Sequence, residues 1–215
     1  ESLILYLLIL AFLLCRSMIQ SAGFSFREEG PLDLRLNPQA GVPASERLKE
    51  MDAEEIEGML FENSDEPLAK ELARAIMSAK RKKQPIETTS QLREIVEQVV
   101  LRTKPENPKE AVKKTCQRVF QALRIDVNSE FEVLDSFLEA LPHILKPGGK
   151  AAILTFHSGE DRMVKKSFQY YAREGIYSDI AKDVIRPSAK ECASNPRARS
   201  TKFRWAVRSD VQKYE

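Results

Sequence analysis

From Asp52 to Leu141 the apolar positions fall mostly at helical spacing. Ile56, Met59 and Leu60 follow Asp52 and Glu55, and that pair three residues apart predicts a helix opened by a capping box. Asp65 and Pro67 read as the start of the next segment, where Leu68, Leu72, Ile76 and Met77 keep the spacing up to the solvated run Lys80–Lys83. Thr88 to Ser90 offer caps for a third helix carrying Leu92, Ile95, Val96, Val99 and Val100. Together these segments predict a small helical domain. Beyond Pro108 the pattern resumes with Val112, Cys116, Val119, Phe120 and Leu123, then Phe131, Leu134, Phe137, Leu138 and Leu141. This stretch is long enough for one broken helix or two.

At Lys146–Gly149, KPGG, the period changes. Lys150 to Phe156, KAAILTF, is a continuous β-compatible run whose lack of alternation suits a strand buried on both faces of a parallel sheet. Helix, glycine turn and strand make an α/β unit. Met163, Val164, Phe168 and Tyr171 predict a further helix, and Lys202 to Val207, KFRWAV, a last strand after a basic loop. Upstream, GFSFREEGPLDLRLNP (residues 23–38) carries Gly30-Pro31 and Asn37-Pro38 as turn punctuation and reads as an ordered loop. The almost unbroken apolar run Leu3–Leu14 is short for a bilayer span. No basic n-region precedes it, so a secretory signal is not indicated. It is compatible with a buried strand or helix, a wrongly joined segment, or a membrane or targeting segment.

Composition narrows the class: 42% apolar and 31% charged residues exclude a wholly disordered or collagenous chain, and 215 residues accommodate one domain carrying a smaller one. A net charge of +2 does not mark a nucleic-acid binder, because counterion release needs clustered cations. Glu46–Glu66 holds nine acidic against two basic residues, Lys70–Arg118 thirteen basic against six acidic, and Arg186–Arg208 seven basic against Glu191 alone, so the cations are clustered. Solvated faces would look the same on charge alone. Cys15, Cys116 and Cys192 stand far apart with no ligand spacing to His143 or His157, so no metal site is expected.

In α/β sheets ligands bind beyond the carboxyl ends of strands, which directs attention to His157, Ser158, Gly159, Glu160, Asp161 and Arg162. The bland reading has Ser158 capping the following helix while Glu160 and Asp161 complement its dipole, with His157 a packed loop residue. Asn195, Pro196, Arg197, Ala198, Arg199 and Ser200, just before the last strand, could grip phosphates through Arg197 and Arg199 and hydrogen-bond a base through Asn195. A generic basic loop would look similar.

These blocks resemble a known family. GFSFREEGPLDLRLNP, VFQALRIDVNSE (Val119–Glu130), LKPGGK, TFHSGEDR (Thr155–Arg162) and NPRARSTKFR (Asn195–Arg204) are similar, in order, to signature blocks of the MraW/RsmH methyltransferases. The resemblance covers roughly residues 17–208. It implies an α/β fold, a partial Rossmann-like class I methyltransferase domain with an inserted all-helical domain. Residues 1–36 would be a remnant of the methyltransferase domain, 37–114 the helical substrate-recognition insertion, and 115–215 the C-terminal half of the methyltransferase domain. The implied activity is transfer of a methyl group from S-adenosyl-L-methionine to the N4 exocyclic amine of a cytidine in small-subunit ribosomal RNA. The implied partner is that RNA or the assembled small subunit, without metal and without a membrane. A cytoplasmic location follows for a bacterial chain and an organellar one for a eukaryotic chain.

By the same resemblance, His157, Asn195, Glu160 and Asp161 are the candidate catalytic residues, His157 and Asn195 as orienting groups and His157 also as a proton acceptor. Ser158 and Gln20 are candidates for the cofactor, and Arg124, Arg197, Arg199, Asp33 and Arg35 for RNA. Arg124 is equally compatible with a helix-surface salt bridge, and Asp33 with Arg35 could merely brace the insertion.

Departures from the family pattern bear on these roles. Gly159 replaces the leucine of FHSLEDR, Ala22 replaces an arginine, and CRSMIQSA stands where an acidic strand end is usual. The eight glycines never make a G-x-G, so the glycine-rich cofactor loop is missing. The chain therefore reads as N-terminally truncated, with weak cofactor binding expected. The rival readings are a catalytically inactive RNA-binding remnant and a helical interaction module.

Overall fold

A computed structural model describes residues 4–6 and 29–210. Gln20, Cys15, the GFSF block and most of the apolar start lie outside the described residues. The chain divides into two compact units, Cys15–Glu130 and Glu1–Leu14 with Phe131–Glu215.

The first unit, described from residue 29, is helical: α1 (Ala44–Glu50), α2 (Ala53–Ser64), α3 (Ala69–Arg81), α4 (Thr89–Arg102) and α5 (Pro108–Val127). Asp52 and Glu55 form the expected capping box on α2, and Thr88 with Gln91 forms another on α4. Asn107 caps α5 ahead of Pro108 at its first position, where the missing N–H costs nothing. Asp65, expected to open a helix, instead closes α2 in a left-handed conformation with φ 49°. The start of α3 is served by Glu66, whose fully buried carboxylate accepts the Leu68 N–H at 3.0 Å and Arg118 Nε at 2.6 Å. A lone acidic residue reads as a helix start or a helix end equally well, and only packing against α5 decided between them. The core of this unit joins Leu48, Ile56, Leu60, Leu72, Ile76, Leu92 and Val96 to Leu32, Leu34, Val119, Phe120 and Leu123, so residues on both sides of 37–114 share it.

The loop at its edge is strained and clamped. Leu34 is buried yet has φ 63°, a left-handed conformation costing a non-glycine residue about 1 kcal/mol. Asn128 secures it: its Oδ1 accepts the Leu36 N–H at 2.8 Å, and its Nδ2 donates to the Leu34 and Arg124 carbonyls, each at 2.8 Å. Asn128 also ends α5, and the next residue, Ser129, has φ 47°, which breaks the long apolar pattern into two helices.

The second unit holds α6 (Glu130–Ile144, whose first residue still belongs to the first unit), β2 (Lys150–Thr155), α7 (Ser158–Arg173), β3 (Tyr177–Ile180), α8 (Ala189–Ser194), a 3-10 turn (Pro196–Ser200) and β4 (Lys202–Arg208). Ile4–Tyr6 of the apolar start form β1, parallel to β2. The sheet order is β1-β2-β4-β3, with β4 antiparallel to both neighbours. Gly148 takes φ 70°, and a side chain on Gly149 would lie 2.7 Å from the Lys146 carbonyl, so both glycines of KPGG are needed to turn α6 into β2.

The expected parallel sheet around KAAILTF is corrected to a mixed one. Ala151, Ile153 and Thr155 are buried while Ala152 and Leu154 are half-buried, so burial alternates although hydrophobicity does not. An all-apolar run carries no mark of which face is covered or which way its neighbour runs. Ala151 and Ile153 share a core with Leu134, Leu138 and Leu141 of α6 and Val164 and Phe168 of α7. α1, β3 and α8 have no counterpart among the expected elements, being short and nearly devoid of apolar periodicity.

Replacing Asn128 by alanine removes three hydrogen bonds at a strained, buried turn and is expected to destabilise the chain by about 2 kcal/mol, read as a lowered urea midpoint with an unchanged slope. A variant as stable as the parent would show that the loop holds itself.

Candidate functional site

Strand pairing brings the two chemical blocks of the second unit together. β2 ends at Thr155, which pairs with Lys202, the first residue of β4. TFHSGEDR leaves the sheet at the end where NPRARS enters it, although some forty positions separate them in the chain. The carboxyl end of β2 is thus the candidate site.

His157, not Ser158, is the N-cap of α7. Its Nδ1 accepts the Glu160 N–H at 3.4 Å, while Glu160 Oε2 accepts the Phe156 N–H at 2.9 Å and the His157 N–H at 3.4 Å, closing a reciprocal capping box. The cap fixes the tautomer: with Nδ1 accepting, the neutral ring carries its proton on Nε2. That atom is buried and lacks a hydrogen-bond partner, although Glu160 Oε1 lies 3.3 Å away. Capped in this way, the neutral imidazole presents a donor at Nε2 rather than an acceptor. Ser158 is exposed at the first helical position.

Asp161 is committed elsewhere. Both of its oxygens are held by Arg204 of β4, Nε–Oδ1 at 2.7 Å and Nη2–Oδ2 at 3.2 Å, with the two side chains 14% and 7% exposed. Such a fork is strong and geometrically specific, and here it fastens the first turn of α7 to the strand beside β2. Arg204 escaped sequence reading, yet it left a signal: β4 points Arg204 and Ala206 inward, and an arginine at an inward strand position requires a buried acid. Lys202, half-buried at the same strand end, is held below the usual lysine range by burial and by nearby Arg186, opposed by Asp161 and Glu160.

Asn195 is exposed and ends α8; its N–H donates to the Glu191 carbonyl at 2.7 Å, and its carbonyl accepts the Ala198 N–H at 2.9 Å, which starts the 3-10 turn. Arg197 and Arg199 lie on that turn, with Arg199 exposed and Ala198 buried as its anchor.

The remaining candidates belong to the helical unit and are engaged there. Arg124 forks onto Glu130 at 2.7 and 2.9 Å, which matches the salt-bridge reading. Arg35 forks onto Asp33 at 2.7 and 2.8 Å, reaches the Gly41 carbonyl at 3.2 Å and holds the Asp33 carboxyl below its usual range. Both pairs brace the turn that Asn128 clamps. Burial pushes the Cys116 thiol up to about 11, so it is an inert core group.

The family model of the MraW methylases matches residues 14–209. The chain belongs to the MraW methylase family. It is 61% identical over 188 residues to the Ribosomal RNA small subunit methyltransferase H 1 of Lachnoclostridium phytofermentans, an alignment covering 87% of this chain and 51% of that relative. To the protein of the same name from Agathobacter rectalis it is 62% identical over 188 residues, covering 87% and 54%. The Ribosomal RNA small subunit methyltransferase H of Elusimicrobium minutum is 40% identical over 186 residues, covering 86% and 61%. The chain therefore spans about half the length of the first two relatives. A methyltransferase family with a mixed α/β fold is what sequence and structure agree on.

Exchanging Asp161 for asparagine leaves Arg204 buried without its counter-charge, and the expected loss is about 3 kcal/mol in chemical denaturation. A stability loss below roughly 0.5 kcal/mol, the size of a surface change, would place this pair in solvent.

Proposed function

We propose that this chain carries the RNA-facing part of an S-adenosylmethionine-dependent methyltransferase acting on the N4 amine of a cytidine in small-subunit ribosomal RNA. The supporting observation is the convergence of TFHSGEDR and NPRARS at one strand end in a member of this family. Relatives named as small-subunit ribosomal RNA methyltransferases support the same RNA, free or in the assembled subunit, as substrate. Their bacterial origin favours the cytoplasm. The second unit is read as part of a Rossmann-like class I domain, and residues 37–114 as its helical substrate-recognition insertion.

S-adenosylmethionine would supply the methyl group as an electrophile. Among the described residues the group's candidate contacts reduce to Ser158 at the start of α7, and the orphaned Nε2–H of His157 suits a polar ligand at the end of β2. The described residues fit the edge of such a pocket, not the whole of it.

The cytosine amine is a poor nucleophile because its lone pair is delocalised into the ring, so positioning must supply much of the acceleration. His157 donates from Nε2 to an acceptor on the base, and the Asn195 side chain accepts one amine hydrogen. Glu160 and Asp161, spent on the cap and on Arg204, hold these groups in place, and the amine proton leaves to solvent. Arg197 and Arg199 grip phosphates, which sets affinity and register.

At saturating methyl-labelled cofactor the 215-residue chain and small-subunit ribosomal RNA are expected to yield N4-methylcytidine on nucleoside analysis, with half-saturation by cofactor well above the micromolar range because the glycine-rich loop is missing. Tight RNA binding without label would overturn the enzymatic reading in favour of an RNA-binding protein. His157→Ala and Asn195→Ala are each expected to lower single-turnover rates about a hundredfold with little change in RNA affinity. Equal losses in rate and affinity would make them binding residues only.

The arginines are tested separately. Arg197→Ala with Arg199→Ala should flatten the plot of log affinity against log salt by about 0.7 for each phosphate of a single-stranded RNA that is no longer neutralised. A slope unchanged in the double variant would show that these arginines do not bind phosphate.

A further inference from the structure

Gly159 is unexplained by its own backbone. It occupies the second position of α7, and it is not among the glycines with positive φ, so any residue could adopt its conformation. Glycine is a poor helix former, and a side chain there would favour the helix if space allowed. Space does not allow it. A Cβ on Gly159 would lie 2.6 Å from Phe131 Cζ, 3.3 Å from Phe131 Cε1 and 3.3 Å from His157 Nδ1. The Phe131 ring occupies the volume that a side chain at 159 would claim. It also meets the His157 ring, with centroids 5.7 Å apart and planes inclined at 47°.

Phe131, Gly159 and His157 are therefore one packed group. Nδ1 of the imidazole is tied to the Glu160 N–H, and one flank of the ring rests on Phe131, so two of the ring's degrees of freedom are restrained from different directions. The donor at Nε2 then has a defined direction, and a pre-set donor loses less on engaging a ligand than one that must be ordered. Phe131 itself touches neither the cap nor Glu160 in any described hydrogen bond. Among the described residues its ring packs beside the imidazole and over Gly159.

We propose that Phe131, admitted by the absence of a side chain at Gly159, is a positioning residue that holds the His157 imidazole in its capping orientation. This rests on the reading of His157 as the orienting donor for the cytosine amine. The nearest obstacle a Cβ would meet, at 2.6 Å, is the far end of the Phe131 side chain, with His157 Nδ1 at a tight 3.3 Å, so Gly159→Ala swings the phenyl ring away without dismantling the turn. Phe131→Leu removes the aromatic face while keeping an apolar side chain.

The chain has two histidines, so their Cε1–H resonances are readily assigned, with the exposed His143 as internal control. In the parent, nuclear Overhauser effects from the Phe131 ring to His157 are expected. Gly159→Ala should abolish them and shift the His157 resonance in the same direction as Phe131→Leu does, leaving His143 unmoved. The double variant should match Phe131→Leu alone, because the two substitutions act through one packing interaction. In methyl transfer, each variant should lose about tenfold in kcat at unchanged KM for RNA, the mark of an interaction used in the transition state. An unmoved His157 resonance in Gly159→Ala, or additive shifts in the double variant, would overturn the proposal. Full activity in both variants while His157→Ala is impaired would overturn it alone. Full activity in His157→Ala would instead bring down the reading of His157 on which it stands.

Discussion

The fork between Arg204 and Asp161 is the constraint on which the candidate site depends. β2 and β4 are antiparallel neighbours, and their pairing delivers TFHSGEDR and NPRARS to one end of the sheet. Val164 and Phe168 pack α7 on the sheet, and the fork adds a fastening at its first turn, because a buried guanidinium at 7% exposure cannot release its carboxylate without facing an uncompensated charge. With Asp161 fixed, the capping box fixes Glu160 and His157 in turn, and the imidazole can be tuned by what packs beside it. Both carboxylates are thus engaged within the fold, Glu160 on the cap and Asp161 on Arg204, and His157 Nε2 lies buried 3.3 Å from Glu160 Oε1 without a hydrogen bond.

The same economy of charge runs through the helical unit. Arg118 serves buried Glu66, Arg124 serves Glu130, Arg47 serves Asp126 and Arg35 serves Asp33. Arg47–Asp126 ties α1 to α5, Arg118–Glu66 ties the α2–α3 connection to α5, and Arg35–Asp33 braces the 31–36 loop from within. The basic character of a stretch is therefore a poor guide to an anion-binding face, because part of it is internal wiring. The left-handed Leu34, clamped by Asn128, shows the loop being held in a conformation that it would not adopt alone. Strain of that kind persists only where surrounding bonds over-determine it.

Much of the fold was legible because local signals suffice for local structure. The capping boxes at Asp52 and Thr88, the cap and proline opening α5, the KPGG turn and the strand KFRWAV all depend on interactions within a few residues. That the HSGED turn directly follows a strand end was legible too, whereas its meeting with NPRARS came from the pairing of β2 with β4. Roles were less so. Asp65 ended a helix that it was expected to begin, and KAAILTF proved to be half-covered in a mixed sheet.

What the sequence determined by itself was helix periodicity, caps, turns, family membership and the short list of polar residues from which a site can be built. What only the tertiary structure decided was which of those residues are already spent. Glu160 on the cap, Asp161 on Arg204, Arg124 on Glu130 and Arg35 on Asp33 have partners that spacing could not name in every case, and Gly159 is explained only by Phe131, 28 positions earlier. The physical reason is that a side chain's chemistry depends on the groups it meets after folding. A carboxylate beside a buried guanidinium and one facing solvent are the same letter in a sequence, yet they differ in charge environment, mobility and availability to a substrate.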